Sequence, residues 1–179
     1  CRKRTNYFLK LDKHYRHIYR DYSNETKRCI NEAIKKDVYV KHSIPFDEAL
    51  SFFKEHSTVF QKSEMIETLR YIYNKNKCFA VGAYVDFKLV SLIFIVLDGN
   101  RYVTFASVSN KTGRKSFAHF YLIDKFIENH AESSNILDFE NSSINTLRKF
   151  YKGFGSVKQK FYDITFHLFH RFFLKFLYF

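Results

Sequence analysis

Two carboxylates stand two positions apart in Leu137-Asp138-Phe139-Glu140, at the end of the short apolar run Asn135 to Phe139. Residues two apart in an extended segment share a face, so Asp138 and Glu140 form a pair in which one pKa is raised. A carboxyl group tuned in this way suits proton transfer. The same placement suits a second role, because a carboxylate just ahead of Asn141–Ser143 anchors the start of a following helix. Upstream, Ser109 to Lys115 (SNKTGRK) reads as a polar loop before an amphipathic segment. Free N–H groups at a helix start, together with the helix dipole, favour phosphate. Gly113 would let the backbone approach a pyrophosphate closely, Arg114 and Lys115 would add charge, and Ser116 a hydroxyl. A loop of that composition also serves simply as a connection. Tyr151 lies between Phe150 and Phe154 and reads from its neighbours as a core aromatic.

Other chemistries lack their residues. No G-x-S-x-G, G-x-x-x-x-G-K-[ST] or G-x-G-x-x-G string occurs, which argues against serine-hydrolase, P-loop and Rossmann chemistry. Cys1, Cys29 and Cys78 are scattered and odd in number, which suggests neither a disulfide framework nor a zinc ribbon and fits a reducing cytoplasm. His14 with His17, and His167 with His170, could each face one way on a helix. No cysteine or paired carboxylate accompanies them, so no metal is expected. The net charge is +12, and residues 1–36 hold 11 Lys/Arg against 4 Asp/Glu. That asymmetry suits an anionic partner (nucleic acid, a membrane surface or a phosphorylated cofactor) or a solvated helical face. The 22 Phe and 13 Tyr, without Trp, fall mostly at core-compatible positions.

These residues need elements to hold them. Asp12 is expected to cap a helix to about Tyr22, and Ser23 or Asn24 a second one, whose Cys29, Ile30, Ala33 and Ile34 form an apolar stripe. Asp37 to His42 alternates like a strand, and Pro45 suits the first turn of a helix through Glu55. Another helix is predicted from Ser63 to about Asn74, with Met65, Ile66, Leu69 and Ile72 inward. The period then becomes extended. Cys78 to Val85, the β-branched Lys88 to Leu97, and Arg101 to Val108 form a three-strand meander, turned at Asp98-Gly99-Asn100. An amphipathic helix over Ser116–Asn129, the strand to Phe139, a helix to about Tyr151 ended by Gly153 and Gly155, and a strand over Ser156–Phe166 complete the order. The apolar tail Phe169–Phe179 is too short to span a bilayer and would pack as a core helix or lie at an interface. The start, CRKRTNYFLK, has no apolar core behind its charges and no initiator Met. Tyr7 to Leu11 reads as a strand arriving without a partner, so the chain is expected to be the C-terminal part of a longer polypeptide.

Three strings in this order, Phe117-Ala118-His119-Phe120-Tyr121-Leu122-Ile123-Asp124, Leu137-Asp138-Phe139-Glu140-Asn141-Ser142 and Phe150-Tyr151-Lys152-Gly153-Phe154-Gly155, resemble the GNAT superfamily in its FemAB-like branch. Residues 77–165 carry most of the likeness, and residues 5–40 resemble the basic helical segment joining the two GNAT-like halves of such proteins. The resemblance implies an α+β fold: a mixed, mostly antiparallel sheet with helices on both faces, preceded by a helical linker pair. Residues 1–37 would then be the end of a preceding half and the linker, and 38–179 the acyltransferase domain. It also implies an acetyl-CoA or other acyl-CoA donor, or an aminoacyl-tRNA, and a small amine or amino-sugar acceptor. The donor's pantetheine would lie between Arg101–Val108 and Asn135–Phe139, with its pyrophosphate on Thr112, Gly113, Arg114, Lys115 and Ser116. Glu140, assisted by Asp138, would be the base, and Tyr151 would protonate the leaving thiolate. The implied setting is cytoplasmic or peripheral at the inner membrane surface, in cell-envelope metabolism. The chain departs from the superfamily's acceptor loop, since only Gly113 is present and Ala118 follows five residues later. A GNAT-like half that binds or scaffolds without catalysis stands as the alternative.

Overall fold

The computed structural model describes residues 2–57, 63–140 and 145–163. In chain order the elements are β1 (Arg2–Lys10), α1 (Tyr15–Arg20), α2 (Asn24–Lys35), β2 (Tyr39–Lys41), α3 (Phe46–His56), α4 (Ser63–Asn74) and β3 (Cys78–Val85). β4 (Lys88–Asp98), β5 (Arg101–Ser109), α5 (Lys111–Lys115), α6 (Ala118–His130), β6 (Ile136–Asp138), α7 (Asn145–Gly153) and β7 (Val157–Asp163) follow. The strands make one seven-stranded sheet in the order β2-β3-β4-β5-β6-β1-β7. Every neighbouring pair is antiparallel except β5 and β6. That parallel pair needs a crossover, which α5 and α6 supply.

The sheet separates two cores. Alternation along β4 sends Ile93 and Ile95 into one, with Leu122, Phe126 and Ile127 of α6, and Leu92 and Phe94 into the other, with Phe46, Leu50 and Phe53 of α3. Val90 joins Ile93 although the parity is wrong, because Ala83 pairs Ser91 while Tyr84 pairs Leu89, which leaves Val90 as the extra residue of a bulge. The β4–β5 turn pairs Asp98 with Arg101 across Gly99, whose φ of +58° suits a residue without Cβ.

The first strand departs from expectation. β1 is longer than predicted and has two partners, β6 through Phe8↔Asp138 and β7 through Arg2↔Asp163 to Phe8↔Val157. Its Tyr7 and Leu9 share a core with Ile18, Tyr22 and Ile30 of the α1–α2 segment. Sequence pattern predicts a strand but not its partners, which here come from the far end of the chain. The N-terminal cap of α1 is His14 rather than Asp12, with Nδ1 accepting from the Arg16 N–H, while Ser23 caps α2 as expected. Pro45 sits just before α3 with an extended ψ of 134°, one position earlier than predicted. Among the described residues no helix is long and apolar enough to cross a membrane. The expected helix start at Asn141–Ser143, the tail Phe169–Phe179, and His167 and His170 lie outside the described residues.

Candidate active site

β5 and β6 touch over a short stretch, Arg101↔Ile136 to Val103↔Asp138. At that point β5 carries a bulge, since Phe94 pairs Ala106 while Ile95 pairs Thr104, and Phe105 is the extra residue. β5 then runs on to Ser109, while β6 ends and the Phe139 N–H turns to the Tyr7 carbonyl of β1. Past Val103 the β6-facing edge of β5 has no strand beside it among the described residues. Aromatic side chains of α6 and α7 line a cleft of about 580 Å³ beside the end of β5. Ser107, Val108 and Ser109 form its strand wall, Gly113 and Arg114 come from α5, and Phe117, His119 and Phe120 from the start of α6. Phe150 and Tyr151 of α7 face them across it.

Tyr151 is held by Phe139, whose ring stacks on it at 4.7 Å and 21°, and by the edge of Phe150 at 5.6 Å. Burial, and then the Glu140 carboxylate, push its hydroxyl up to about 12. The phenol is therefore protonated at neutral pH and can donate.

The two carboxylates lie elsewhere. Asp138 and Glu140 line a separate cavity of about 320 Å³ with Asn6, Asp98, Arg101 and Gln159. Asp138 is buried and its oxygens are occupied: Asn6 Nδ2 donates to Oδ1 at 2.5 Å, the Glu140 N–H donates to Oδ1 at 3.1 Å, and Arg101 Nη1 reaches Oδ2 at 2.6 Å. It thus ties β6 to β1 and β5. Glu140 is exposed, and partial desolvation followed by the charge of Asp138 raises its carboxyl. The pair raises one pKa in the direction the spacing implied, while Asp138 itself is spent on positioning.

The segment expected to be an open phosphate loop is mostly helical. Asn110 caps α5, with Oδ1 accepting the Gly113 N–H at 2.8 Å, and the Ser116 hydroxyl donates to the Thr112 carbonyl at 2.9 Å. Gly113 is needed for another reason than a ligand's approach. A Cβ there would stand 2.1 Å from the Val90 carbonyl oxygen, so α5 can press onto β4 only through glycine. Thr112, Arg114 and Lys115 remain exposed. Arg114 also donates to the Ser109 carbonyl, and Lys36 Nζ reaches the Lys115 carbonyl at 2.6 Å. Lys36 and Arg28 lie over the Phe117 ring at 5.1 and 5.3 Å. The basic α2 and the α5 cations therefore form one cationic collar beside the cleft. Phe117 itself joins α5 to α6 in a left-handed conformation, at φ 56°.

One polar cluster of the cleft escaped sequence reasoning. Ser91 of β4 is fully buried, and its Oγ lies 2.7 Å from Ser109 Oγ, 3.0 Å from His119 Nδ1 and 3.4 Å from the Val108 carbonyl oxygen. The His119 ring stacks on Phe150 at 5.4 Å, and burial pushes its pKa down to about 4. The signal was present in the strand KLVSLIFIVL, where a lone serine inside a wholly apolar run demands a buried partner. Among the described residues no group of three or more His, Cys, Asp or Glu side chains is placed to hold a metal ion.

No family profile and no curated protein matches the sequence. Solved structures do match the fold. The chain superposes on the crystal structure of FemX with a TM-score of 0.70 at 10% identity, covering 87% of this chain and 59% of that one. A conserved protein of unknown function from Bacteroides thetaiotaomicron VPI-5482 gives 0.63 at 14% identity, covering 87% and 58%. The C-terminal domain (DUF2156) of a putative lysylphosphatidylglycerol synthetase from Agrobacterium fabrum gives 0.56 at 5% identity, covering 89% and 59%. The chain thus spans about three fifths of the length of each. With the α+β order and the single parallel pair, these likenesses show a GNAT-like, FemAB-like fold.

Proposed function

We propose that this chain is the acyl-transferring half, the C-terminal one, of a two-half FemAB-like N-acyltransferase. It would move an acyl group from a CoA thioester, or an aminoacyl group from tRNA, to a small amine or amino sugar by direct attack. The observation that carries this reading is the cleft between the end of β5 left free of β6, Ser107–Ser109, and the Tyr151 side of α7. A cleft along a free strand edge suits a slender donor arm, and fixing donor and acceptor there supplies much of the rate through orientation. Tyr151 protonates the departing sulfur or oxygen. Thr112, Arg114 and Lys115, with the α2 cations, meet the donor's phosphates, while Gly113 and Ser116 build α5 beneath them. Glu140, expected as the base, opens into the neighbouring acidic cavity, where its charge attracts the acceptor's ammonium, and Asp138 keeps the Arg101–β1 junction rigid. The other GNAT-like half would come from the rest of the polypeptide, and a cytoplasmic site near the inner membrane surface goes with these donors.

One observation favours the alternative of a non-catalytic binding half. The Gly113 N–H and the Ser116 hydroxyl, two of the groups expected at phosphates, are satisfied inside α5. Thermal melting of the full chain separates the readings. A donor at a hundred times its Kd stabilises by about 2.7 kcal/mol, a shift of several degrees. Acetyl-CoA raising Tm supports the thioester arm, and aminoacyl-tRNA retained at low salt and released steeply as salt rises supports the ester arm. No response to either ligand, in a folded chain, overturns the transferase reading.

A further inference from the structure

The cleft holds a group that the functional reading above has not used. His119 occupies the first turn of α6, lines the cleft, and binds Ser91 through Nδ1. Ser91 has a single proton, and the Val108 carbonyl, which can only accept, is in reach of it. With that proton on Val108, Ser91 Oγ accepts from both the Ser109 hydroxyl and the His119 Nδ1–H. In that arrangement the neutral imidazole is protonated on Nδ1 and carries its lone pair on Nε2. Nε2 makes no hydrogen bond among the described residues, although Nδ1 is anchored. Burying the serine alone would require no histidine, since Val108 and Ser109 already satisfy it. Among the described residues the other ionisable groups lining the cleft are His56 from α3, Arg114 from α5 and Tyr151 from α7, and no carboxylate joins them. Glu140 opens into the separate cavity.

We infer that His119 Nε2 is the proton acceptor for an amine attacking an activated acyl carbonyl in this cleft, with Ser91 and Ser109 as the residues that position its ring. This rests on the transferase reading. The amine nitrogen forms the new bond to the acyl carbon, and the bond from that carbon to the donor's sulfur or ester oxygen breaks. One amine proton passes to Nε2, leaving an imidazolium whose second N–H points at Ser91. The departing sulfur or oxygen takes the Tyr151 proton, and His119 returns its own to the phenolate through solvent. The net change is one proton moved from amine to leaving group.

The test is carbethoxylation of the full chain by diethyl pyrocarbonate, which attacks unprotonated imidazole, with each histidine followed by peptide mass spectrometry. His119 is expected to be labelled, at a rate that holds from about pH 7.5 to about pH 5.5. Saturating acetyl-CoA or aminoacyl-tRNA, whichever is the donor, slows it about tenfold or more, the extent set by occupancy. Long-range proton–nitrogen spectra of nitrogen-15-labelled protein give the tautomer: Nδ1–H in the parent, and a mixture in Ser91→Ala. His119 left unlabelled while exposed His14 and His17 react overturns the inference, as does an Nε2–H tautomer in the parent. The two levels fail separately. A donor that raises Tm but leaves His119 labelling unchanged removes the base and spares the transferase reading. A chain whose Tm responds to neither donor loses both.

Discussion

The helix α6 carries two desolvated ionisable groups, the half-buried His119 and the buried Asp124, one on each side, and they are held in opposite ways. His119 and Asp124 are five residues apart, about 140° around a helix, so they point away from each other. His119 is anchored through one nitrogen and has a cleft in front of the other. Asp124 faces α1 and α2, is 2% exposed, and is held by the Tyr15 hydroxyl at 2.8 Å, beside the buried Tyr22. Burial raises the Asp124 carboxyl from its ordinary 3.8 to about 6, against the weaker pull of Tyr15 and Lys125. Asp124 borders a smaller cavity, of about 260 Å³, with Tyr15, Tyr19 and Lys125, but its carboxylate is held there by a side-chain donor. The His119 ring is held through Nδ1 alone, and among the described residues Nε2 has no hydrogen bond, which is why the cleft side reads as a site and Asp124 as a helix-joining group.

The largest expected effect breaks the cleft side. Gly113→Ala would put a carbon 2.1 Å from the Val90 carbonyl, a backbone atom that cannot swing aside. Urea denaturation should show a loss of about 3 kcal/mol, as for overpacking against a fixed neighbour. The pH dependence sharpens the contrast next. For Asp124 the folded pKa lies above the unfolded one, so its contribution is present below about pH 4 and lost as pH rises through about 6. For His119 the folded pKa, about 4, lies below the ordinary 6.5, so its contribution is present above about 6.5 and lost as pH falls toward 4. The two slopes oppose each other in one window. Asp124→Asn should leave a chain that destabilises as pH falls from about 6.5 to 4, and His119→Asn one that destabilises as pH rises from about 4 to 6, by about 2–3 kcal/mol in each case. Equal slopes in parent and variants, measured by urea titration across that range, would remove the contrast.

On the Asp124 side, Tyr15→Phe takes the hydroxyl from a buried carboxylate and should cost about 1–2 kcal/mol at pH 7, falling toward pH 4 as Asp124 protonates. A loss independent of pH would place the effect in packing rather than in that hydrogen bond. The smallest effect lies outside both faces. Asp86 and Phe87 form the β3–β4 turn with φ of 48° and 61°, and Phe87 is 90% exposed. Phe87→Gly relieves a left-handed bulky residue and should raise stability by about 0.5–1 kcal/mol, as a control in which neither slope changes.

Local pattern made part of this legible. The meander, its Gly99 turn and the Ser63–Asn74 helix follow from periodicity and turn chemistry, which act within a few residues. The Ser23 cap was readable for the same reason. Asn110 was not, because its side chain turned SNKTGRK from an open loop into a helix by using the Gly113 N–H. Tyr151 lines the cleft, but the separation of Asp138 and Glu140 from it depends on where β1 inserts. The Ser91–His119 bond links β4 to α6 across 28 residues and left only a misplaced serine as its trace.

The insertion of β1 also sets the order in which the molecule can be built. Asn6 and Asp138 meet although 132 residues separate them, whereas β3, β4 and β5 meet through turns of a few residues. Closing so long a loop is slow relative to forming a meander. A growing chain can therefore complete β3–β5 early, but the junction of β6, β1 and β7 waits for residues near 160. Phe139, which supports Tyr151, is bonded to β1 at this junction, so the wall of the cleft that carries the phenol depends on contacts formed later than the meander.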